Sequence, residues 1–341
     1  MSSLKDSDSL SDFFSGKEIL ITGGTGSIGS LIVKELLKFS VDKVYIFSRD
    51  EIKQFTMRKL INDERLRFAI GDVRDYRSLE RVFKENSFDI IYHTAAMKHV
   101  VICEENPVEA VMTNIIGTQN VVDIARKYGV SKLINISTDK AVKPYNVMGA
   151  TKLIAERIVL NANYTSIRLG NIANSRGSVI PVLIEELVKK KQMTVTDLSV
   201  TRFVLSVSDA AKLILKATQL ARGGEIFVPK MKAFKLSDLI EVLLNYVAPK
   251  FGIRSEEVKV NVVGLMRGEK LHESIIDELE VPYLHDLGDF YVINPRNPAI
   301  NVYRESLVLS SNVAELISKG ELKEIVDEYI SSLLSLPLKT H

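Results

Sequence analysis

The sequence has one cysteine, no tryptophan and only nine prolines in 341 residues. A lone thiol, Cys103, excludes an internal disulfide and fits a reducing compartment, so a cytoplasmic location is expected. Cys103 reads as an inert residue rather than a nucleophile. Five histidines, scattered and without cysteine partners, give no zinc spacing, and no metal is expected. No apolar run approaches the roughly 18 residues that a membrane span needs. The opening M-S-S-L-K-D-S-D-S-L-S-D has no apolar h-region, so neither secretion nor a membrane partner is expected. Charge of one sign is missing too. Forty-five Lys and Arg face 43 Asp and Glu, a net +2 that leaves no footprint for nucleic acid.

What is present is ordinary in amount and specific in order. Hydrophobic residues make up 46% and charged residues 26%, as in a soluble globular protein. The length allows one large domain or two smaller ones. Glu18–Thr22 reads as a short buried strand, followed by Gly23-Gly24-Thr25-Gly26-Ser27-Ile28-Gly29. The glycines allow a tight turn and close backbone approach to a pyrophosphate. The helix predicted from Ser27 points its first amides at those phosphates. A second strand, Lys43–Phe47, completes the unit, so the turn reads as a dinucleotide site.

The end of that second strand selects the cofactor. An acidic residue there holds the adenosine ribose of NAD. Here Ser48 and Arg49 come first, with Lys53 nearby, and a hydroxyl with a guanidinium suits the 2′-phosphate of NADP. NAD is the alternative, with Arg49 pairing on the surface with Asp50 or Glu51. Leu66–Ile70 is a third strand, ending in Gly71, Asp72 and Val73, which would flank the adenine. Phe88–His93 is a fourth. Beyond it, Ala95 and Ala96 let a cofactor pass the backbone, and Lys98 is a candidate for cofactor or substrate. His93 reads as a packed strand-end histidine. Asn106-Pro107 opens a helix that Gly129 stops. Asn114 sits on its apolar stripe, where a buried amide needs partners; it is expected to fix the neighbouring strand-end loop.

The densest stretch is Lys132 to Lys152. Leu133–Ile136 reads as the end of a buried strand, followed at once by Ser137, Thr138, Asp139 and Lys140. In an open parallel sheet, ligands sit just past the carboxyl ends of strands. A helix then opens near Met148–Gly149, with Met148 and Lys152 four apart on one face. The bland reading is a strand-to-helix turn carrying an Asp–Lys surface pair. Thr165–Leu169 is the sixth strand. The fold class is therefore α/β, a Rossmann-type doubly wound parallel sheet with a smaller, discontinuous substrate-binding region. The expected division is a polar tail over 1–15, an NADP-binding domain over 16–170 with a return near 203–228, a substrate region over 171–202 and 229–300, and a C-terminal helical segment over 301–341. A short helix is expected after Gly264–Lys270.

Taken together, I-T-G-G-T-G-S-I-G, S-R-D-E, G-D-V-R-D, A-A-M-K-H-V, S-T-D-K-A-V-K-P, N-V-M-G-A-T-K, R-L-G-N and G-E-K-L-H-E resemble the extended short-chain dehydrogenases/reductases. More narrowly, residues 14–300 resemble the UDP-N-acetylglucosamine 4,6-dehydratases of surface-polysaccharide synthesis. Some members carry an N-terminal membrane region; this chain resembles the form without one. The resemblance implies a redox-neutral lyase acting on a UDP-sugar with tightly bound NADP, in a homo-oligomer. It implies Lys140 as base at sugar carbon 5, Asp139 as acid for the carbon-6 hydroxyl, and Thr138 as partner of the carbon-4 oxygen. Lys152 would bind the nicotinamide ribose and stabilise oxyanion charge. For substrate, it implies Asn171 at the diphosphate, Arg202 as a phosphate clamp, and Glu269 at the ribose hydroxyls.

Two positions depart from the pattern. The superfamily's tyrosine four residues before the lysine is Met148, which carries no proton. The base for the carbon-4 hydroxyl is then Asp139, Lys140 or a water on Thr138, with Tyr145 a poor substitute in register. The family's G-I-R-P-G-E-K reads G-L-M-R-G-E-K here, which displaces Arg267. The competing readings are a UDP-hexose or UDP-N-acetylhexosamine 4-epimerase and a catalytically inactive NADP-binding scaffold.

Overall fold

The computed structural model describes residues 9–299, 307 and 309–334. Residues 1–8 of the expected tail, and 300–306, 308 and 335–341 around and within the expected C-terminal segment, lie outside the described residues. In chain order the strands are β1 (Glu18–Thr22), β2 (Lys43–Ser48), β3 (Leu66–Ile70), β4 (Ile90–His93), β5 (Lys132–Thr138), β6 (Thr165–Leu169), β7 (Asn171–Ile172), β8 (Gln192–Val195), β9 (Thr201–Leu205), β10 (Ile226–Pro229), β11 (Lys232–Lys235), β12 (Lys259–Val262), β13 (Leu284–Asp286) and β14 (Phe290–Ile293). The helices that matter for the site are α1 (Ser27–Leu36), α2 (Glu51–Ile61), α3 (Tyr76–Glu85), α4 (Val100–Glu105), α5 (107–127) and α6 (Val147–Asn161).

Nine strands form one sheet in the order β13-β14-β10-β6-β5-β4-β1-β2-β3. From β10 to β3 every pairing is parallel. Central strands covered on both faces cannot alternate apolar with polar residues. Accordingly Ile19, Leu20 and Ile21 of β1 are all buried, as are Ile90 and Ile91 of β4. Phe47, Val73, Leu79, Phe83, Val121, Leu133 and Val159 pack together on one face. The chain is thus a Rossmann-type α/β protein, with its parallel strand ends assembled as the sequence pattern requires.

The chain divides into two compact units. The first runs to Leu169 and takes in Ala211–Lys230 and the stretch from Ile276. The second comprises Gly170–Ala210, Met231–Ile275 and the C-terminal helix Lys319–Leu334. It holds a three-stranded sheet, β11-β9-β7, and the parallel pair β12-β8. Ile184, Leu187, Leu239, Leu243 and Val326 form its core.

Several elements differ from the sequence reading. Residues 276–299 belong with the first unit, because β14 pairs antiparallel with β10 and carries β13 onto the sheet edge. Residues 9–14, within the polar 1–15 stretch, are helical, and Phe14 is fully buried and stacks on Phe39 with ring centroids 5.5 Å apart. Residues 271–277 form bends and bridges instead of a helix. Inside α5, Met112–Ile116 is a π-helical turn, a feature that local patterning does not announce.

Candidate active site

The glycine turn is enforced by contact. Gly23 has φ of +69°, and a Cβ there would lie 2.7 Å from the Ala95 backbone nitrogen. A Cβ on Gly29 would lie 2.5 Å from the Gly23 carbonyl oxygen, so only glycine lets α1 seat on the turn. The Gly26 amide donates to the Gly23 carbonyl at 2.8 Å. Helix α1 opens at Gly26 with no side-chain cap and no acidic residue in its first turn. Its amino end therefore keeps the partial positive charge that favours an anion. This cradle, which a Cβ would fill, fits a dinucleotide pyrophosphate. Buried Thr25 and half-buried Ser27 and Ile28 complete the turn.

At the tip of β2, the Ser48 hydroxyl accepts from Thr25 Oγ1 (3.2 Å) and from Gln54 Nε2 (3.0 Å). Gln54, which sequence reasoning missed, also donates to the Ala69 carbonyl and so ties β2 to β3. Its signal is a polar residue on the otherwise inward face of a short helix. Asp50 is engaged on its own helix. Its carboxylate caps α2 through the Lys53 amide at 3.0 Å and pairs with Lys53 Nζ. Arg49 is more than half exposed and pairs with Asp72 at 3.4 Å, rather than with Asp50 or Glu51. Burial pushes the Asp72 carboxyl up, but hydrogen bonds from Arg74 outweigh it and hold it below the usual carboxylate range. Val73 is buried beneath α5, where a Cβ on Gly117 would come within 2.7 Å of it.

Beyond β4, Ala95 is half-buried, and Ala96 and Lys98 are exposed on the loop. Asn114, on the π-turn, fixes that loop. Its oxygen accepts from the Met97 amide at 2.8 Å, and its nitrogen donates to the Met97 carbonyl and to Thr151 Oγ1. His93 is fully enclosed. Thr118 gives its hydroxyl proton to the Asn114 carbonyl, so His93 Nε2–H donates to Thr118 and Nδ1 accepts from Thr22. Burial, with Lys152 nearby, pushes His93 down to about 3, which makes it a neutral packing residue.

Strand β5 delivers the densest chemistry. Thr138 Oγ1 donates to Asp139 Oδ1 at 2.8 Å, and Lys140 Nζ lies 3.0 Å from the same oxygen. Asp139 is completely buried, and its Oδ2 has no hydrogen-bond partner. A buried carboxylate oxygen left unpaired is costly unless something donates to it. Lys140 keeps about a fifth of its side chain exposed, whereas Asp139 is fully enclosed.

Helix α6 seats directly on this turn. Asn146 caps it by accepting from the Gly149 amide at 2.7 Å, and Glu104 accepts from the Val147 amide. A Cβ on Gly149 would lie 2.2 Å from the Lys140 carbonyl oxygen, a close approach that the N-V-M-G run contained but did not announce. Lys152 is buried and donates to the Ile136 carbonyl; burial pushes it down to about 8, with Glu156 opposing. Met148 packs with Cys103 and Ala110, so its position contributes packing rather than a proton. Tyr145 is exposed.

In the second unit, Arg202 is buried and its donors are engaged. They reach the carbonyls of Thr201 and Leu271 and, at 2.8 Å, Glu269, with Glu273 3.9 Å away. Glu269 also accepts from Thr196 and from the Met266 amide. The bonds to Leu271 and Glu269 hold that segment against β9. Asn171 is half-buried at the start of β7, and Arg267 is exposed. Among the described residues no cluster of His, Cys, Asp and Glu could hold a metal, and no helix is long and apolar enough to cross a membrane.

Residues 19–295 match the family model described as polysaccharide biosynthesis protein. An uncharacterized membrane protein of Methanocaldococcus jannaschii is 44% identical, over 94% of this chain and 98% of its own. A UDP-N-acetylglucosamine 4,6-dehydratase (inverting) of Campylobacter jejuni is 39% identical, over 83% and 84%. A UDP-glucose 4-epimerase of Rickettsia canadensis is 38% identical, over 93% and 92%. Among solved structures, Pen from Bacillus thuringiensis superposes with a TM-score of 0.86 at 38% identity, covering 93% of this chain and 99% of that one. A dTDP-glucose 4,6-dehydratase of Streptomyces venezuelae with NAD bound shares the fold at 21% identity and TM-score 0.68, over 83% and 92%.

Proposed function

The chain belongs to the polysaccharide biosynthesis protein family of extended short-chain dehydrogenases/reductases, and from that premise we propose that it is a nucleotide-sugar 4,6-dehydratase using NADP on UDP-N-acetylglucosamine. One observation carries the reading: the buried Asp139, with an unpartnered Oδ2 and with Lys140 Nζ 3.0 Å from its Oδ1, at the carboxyl end of β5. NADP is favoured over NAD because Asp50 is spent on its own helix while Arg49 remains more than half exposed.

When bound, a nicotinamide dinucleotide supplies reversible two-electron oxidation at sugar carbon 4, with the electrons returned at carbon 6. The chain's residues handle the protons. Asp139 takes the carbon-4 hydroxyl proton on Oδ2, while Thr138 donates to the carbon-4 oxygen as it becomes a ketone. The ketone acidifies carbon 5, and Lys140, as a neutral amine, removes that proton. Asp139 passes its proton to the departing carbon-6 hydroxyl, which leaves as water. Lys140 then returns a proton to carbon 5. Both residues finish as they started, an ionised carboxylate and a neutral amine, so the cycle closes. Each proton-transfer group contributes roughly 10²–10⁴ in rate. Lys152, fixed on the Ile136 carbonyl, would hold the nicotinamide ribose. For substrate, Asn171 is assigned to the diphosphate, Arg202 to a phosphate and Glu269 to the ribose hydroxyls, with Lys98 and Arg267 as further candidates.

The competing reading, a 4-epimerase, is favoured by the names of the Rickettsia relatives. It is disfavoured by Met148, which stands where such chemistry uses a tyrosine and which is packed in an apolar cluster. Incubation with UDP-N-acetylglucosamine followed by product analysis separates them. A 4-keto-6-deoxy sugar supports dehydration, a 4-epimer supports epimerisation, and no turnover supports a scaffold.

A homo-oligomer is also proposed. Val101, Ile102, Val108, Met112, Ile116 and Ile154 of α4, α5 and α6 are exposed, with Val108 70% accessible. Apolar residues concentrated on neighbouring helices mark an interface. Light scattering at the mass of one chain would remove this part of the reading.

A further inference from the structure

Below the site lies a buried chain of charge that the mechanism above does not use. Arg168, fully buried on β6, donates to both oxygens of Glu156 (3.1 and 2.8 Å) and both oxygens of Glu280 (2.8 and 2.9 Å). Glu156 is itself fully buried, and Glu280 nearly so. Burying three ionised groups costs several kcal/mol each before pairing, and an apolar replacement is often as stable. Stability alone therefore does not account for the arrangement.

Glu156 faces the site as well as Arg168. Its Oε1 accepts from Ser137 Oγ at 2.6 Å, and Ser137 immediately precedes Thr138 and Asp139. One helical turn earlier on α6 stands Lys152, bonded to the carbonyl of Ile136. The two residues that precede Thr138 are thus both tied to α6, one through Glu156 and one through Lys152. The charges alternate along the series Lys152, Glu156, Arg168, Glu280 and sum to zero.

We propose that Glu156 is a positioning residue, which holds the end of β5 and supplies the counter-charge for Lys152, with Arg168 and Glu280 fixing its place. Its effect on turnover rests on the dehydratase reading; its effect on Lys152 does not. The other titratable groups around Lys152 are few. His93 on β4 is neutral, the Asp139–Lys140 pair lies on the turn under the helix start, and Cys103 and Glu104 sit on α4. The polar groups that α5 contributes, Asn114 and Thr118, do not titrate.

The test uses protein labelled with ¹³C at the lysine ε-carbon, with the Lys152 resonance assigned by its loss in Lys152→Met. In the wild type, the midpoint expected for Lys152 is about 8, lowered by burial. In Glu156→Gln, which keeps an acceptor for Ser137 but removes the charge, the midpoint falls by about a unit, since a lost opposite charge favours the neutral amine. The same variant shows kcat on UDP-N-acetylglucosamine at least tenfold lower with KM within twofold. An unchanged midpoint with kcat within twofold, beside a lowered Tm, would overturn the proposal and leave a purely structural triad. Should Glu156→Gln not fold, Glu280→Gln is read the same way, with a smaller shift of the same sign expected and no shift counting against the idea. A wild type without turnover sinks the dehydratase reading while the Lys152 titration remains readable.

Discussion

Lys140 Nζ stands 3.0 Å from Asp139 Oδ1, while the other carboxylate oxygen of Asp139, equally buried, has no partner. The two members of the proposed acid–base couple are therefore in direct contact, and one carboxylate oxygen is left over. In Asp139→Asn the amide cannot carry the carbon-4 proton to the leaving hydroxyl. We expect kcat to fall by roughly 10²–10⁴, with nucleotide-sugar affinity by calorimetry within a few-fold. Retained turnover would remove Asp139 from the mechanism.

Arg49 is the side chain at the β2 tip that can meet a 2′-phosphate, its present partner being a long contact to Asp72. Hydrogen bonds to charged groups contribute roughly 1.5–3 kcal/mol. Arg49→Ala should therefore weaken NADP binding about tenfold or more and leave NAD affinity within twofold. Equal losses for both cofactors would mean that Arg49 does not read the phosphate.

Gly149 touches the turn that carries the couple. A methyl group 2.2 Å from the Lys140 carbonyl must displace backbone, and such overpacking typically costs 1–3 kcal/mol. Gly149→Ala should lower Tm by several degrees and kcat by more than the loss of folded protein explains. An unchanged kcat per folded molecule would show that the turn tolerates the shift.

His93 makes the fold sensitive to acid. Burial lowers its pKa from 6.5 to about 3, so between those values the unfolded chain binds the extra proton. Stability from this group is complete above pH 6.5 and is lost as pH falls toward 3. Between pH 7 and 4.5 the loss is about 2–3 kcal/mol, at 1.36 kcal/mol per unit. In urea titrations, His93→Gln should lose that much less than the wild type over the same interval. Identical pH slopes would contradict the assignment.

Much of the fold could be read in the chain because parallel, doubly covered strands write themselves as apolar runs. Glu18–Thr22, Leu66–Ile70 and Thr165–Leu169 have the boundaries their composition implies. The edge strands β13 and β14 did not show, since Leu284–Asp286 is a short, mixed segment that pairs with β14, and β14 is placed by β10, more than 50 residues earlier in the chain. Within the site, residues contiguous in sequence were legible: Thr138, Asp139 and Lys140 meet because they are neighbours. Partners distant in sequence were not. Nothing local joins Arg168 to Glu280 across 112 positions or aims Gln54 at Ala69. Nor did the sequence show that Arg202 donates to the carbonyls of Thr201 and Leu271 and to Glu269.

The account's central claim is that Lys140 moves the proton at sugar carbon 5. The direct measurement follows UDP-N-acetylglucosamine by ¹H NMR in heavy water, with the wild type and with Lys140→Ala loaded with the same dinucleotide. The account predicts a wild-type 4-keto-6-deoxy product carrying deuterium at carbon 5, and no carbon-5 exchange in the variant. Carbon-5 deuterium appearing in Lys140→Ala at the wild-type rate would contradict it.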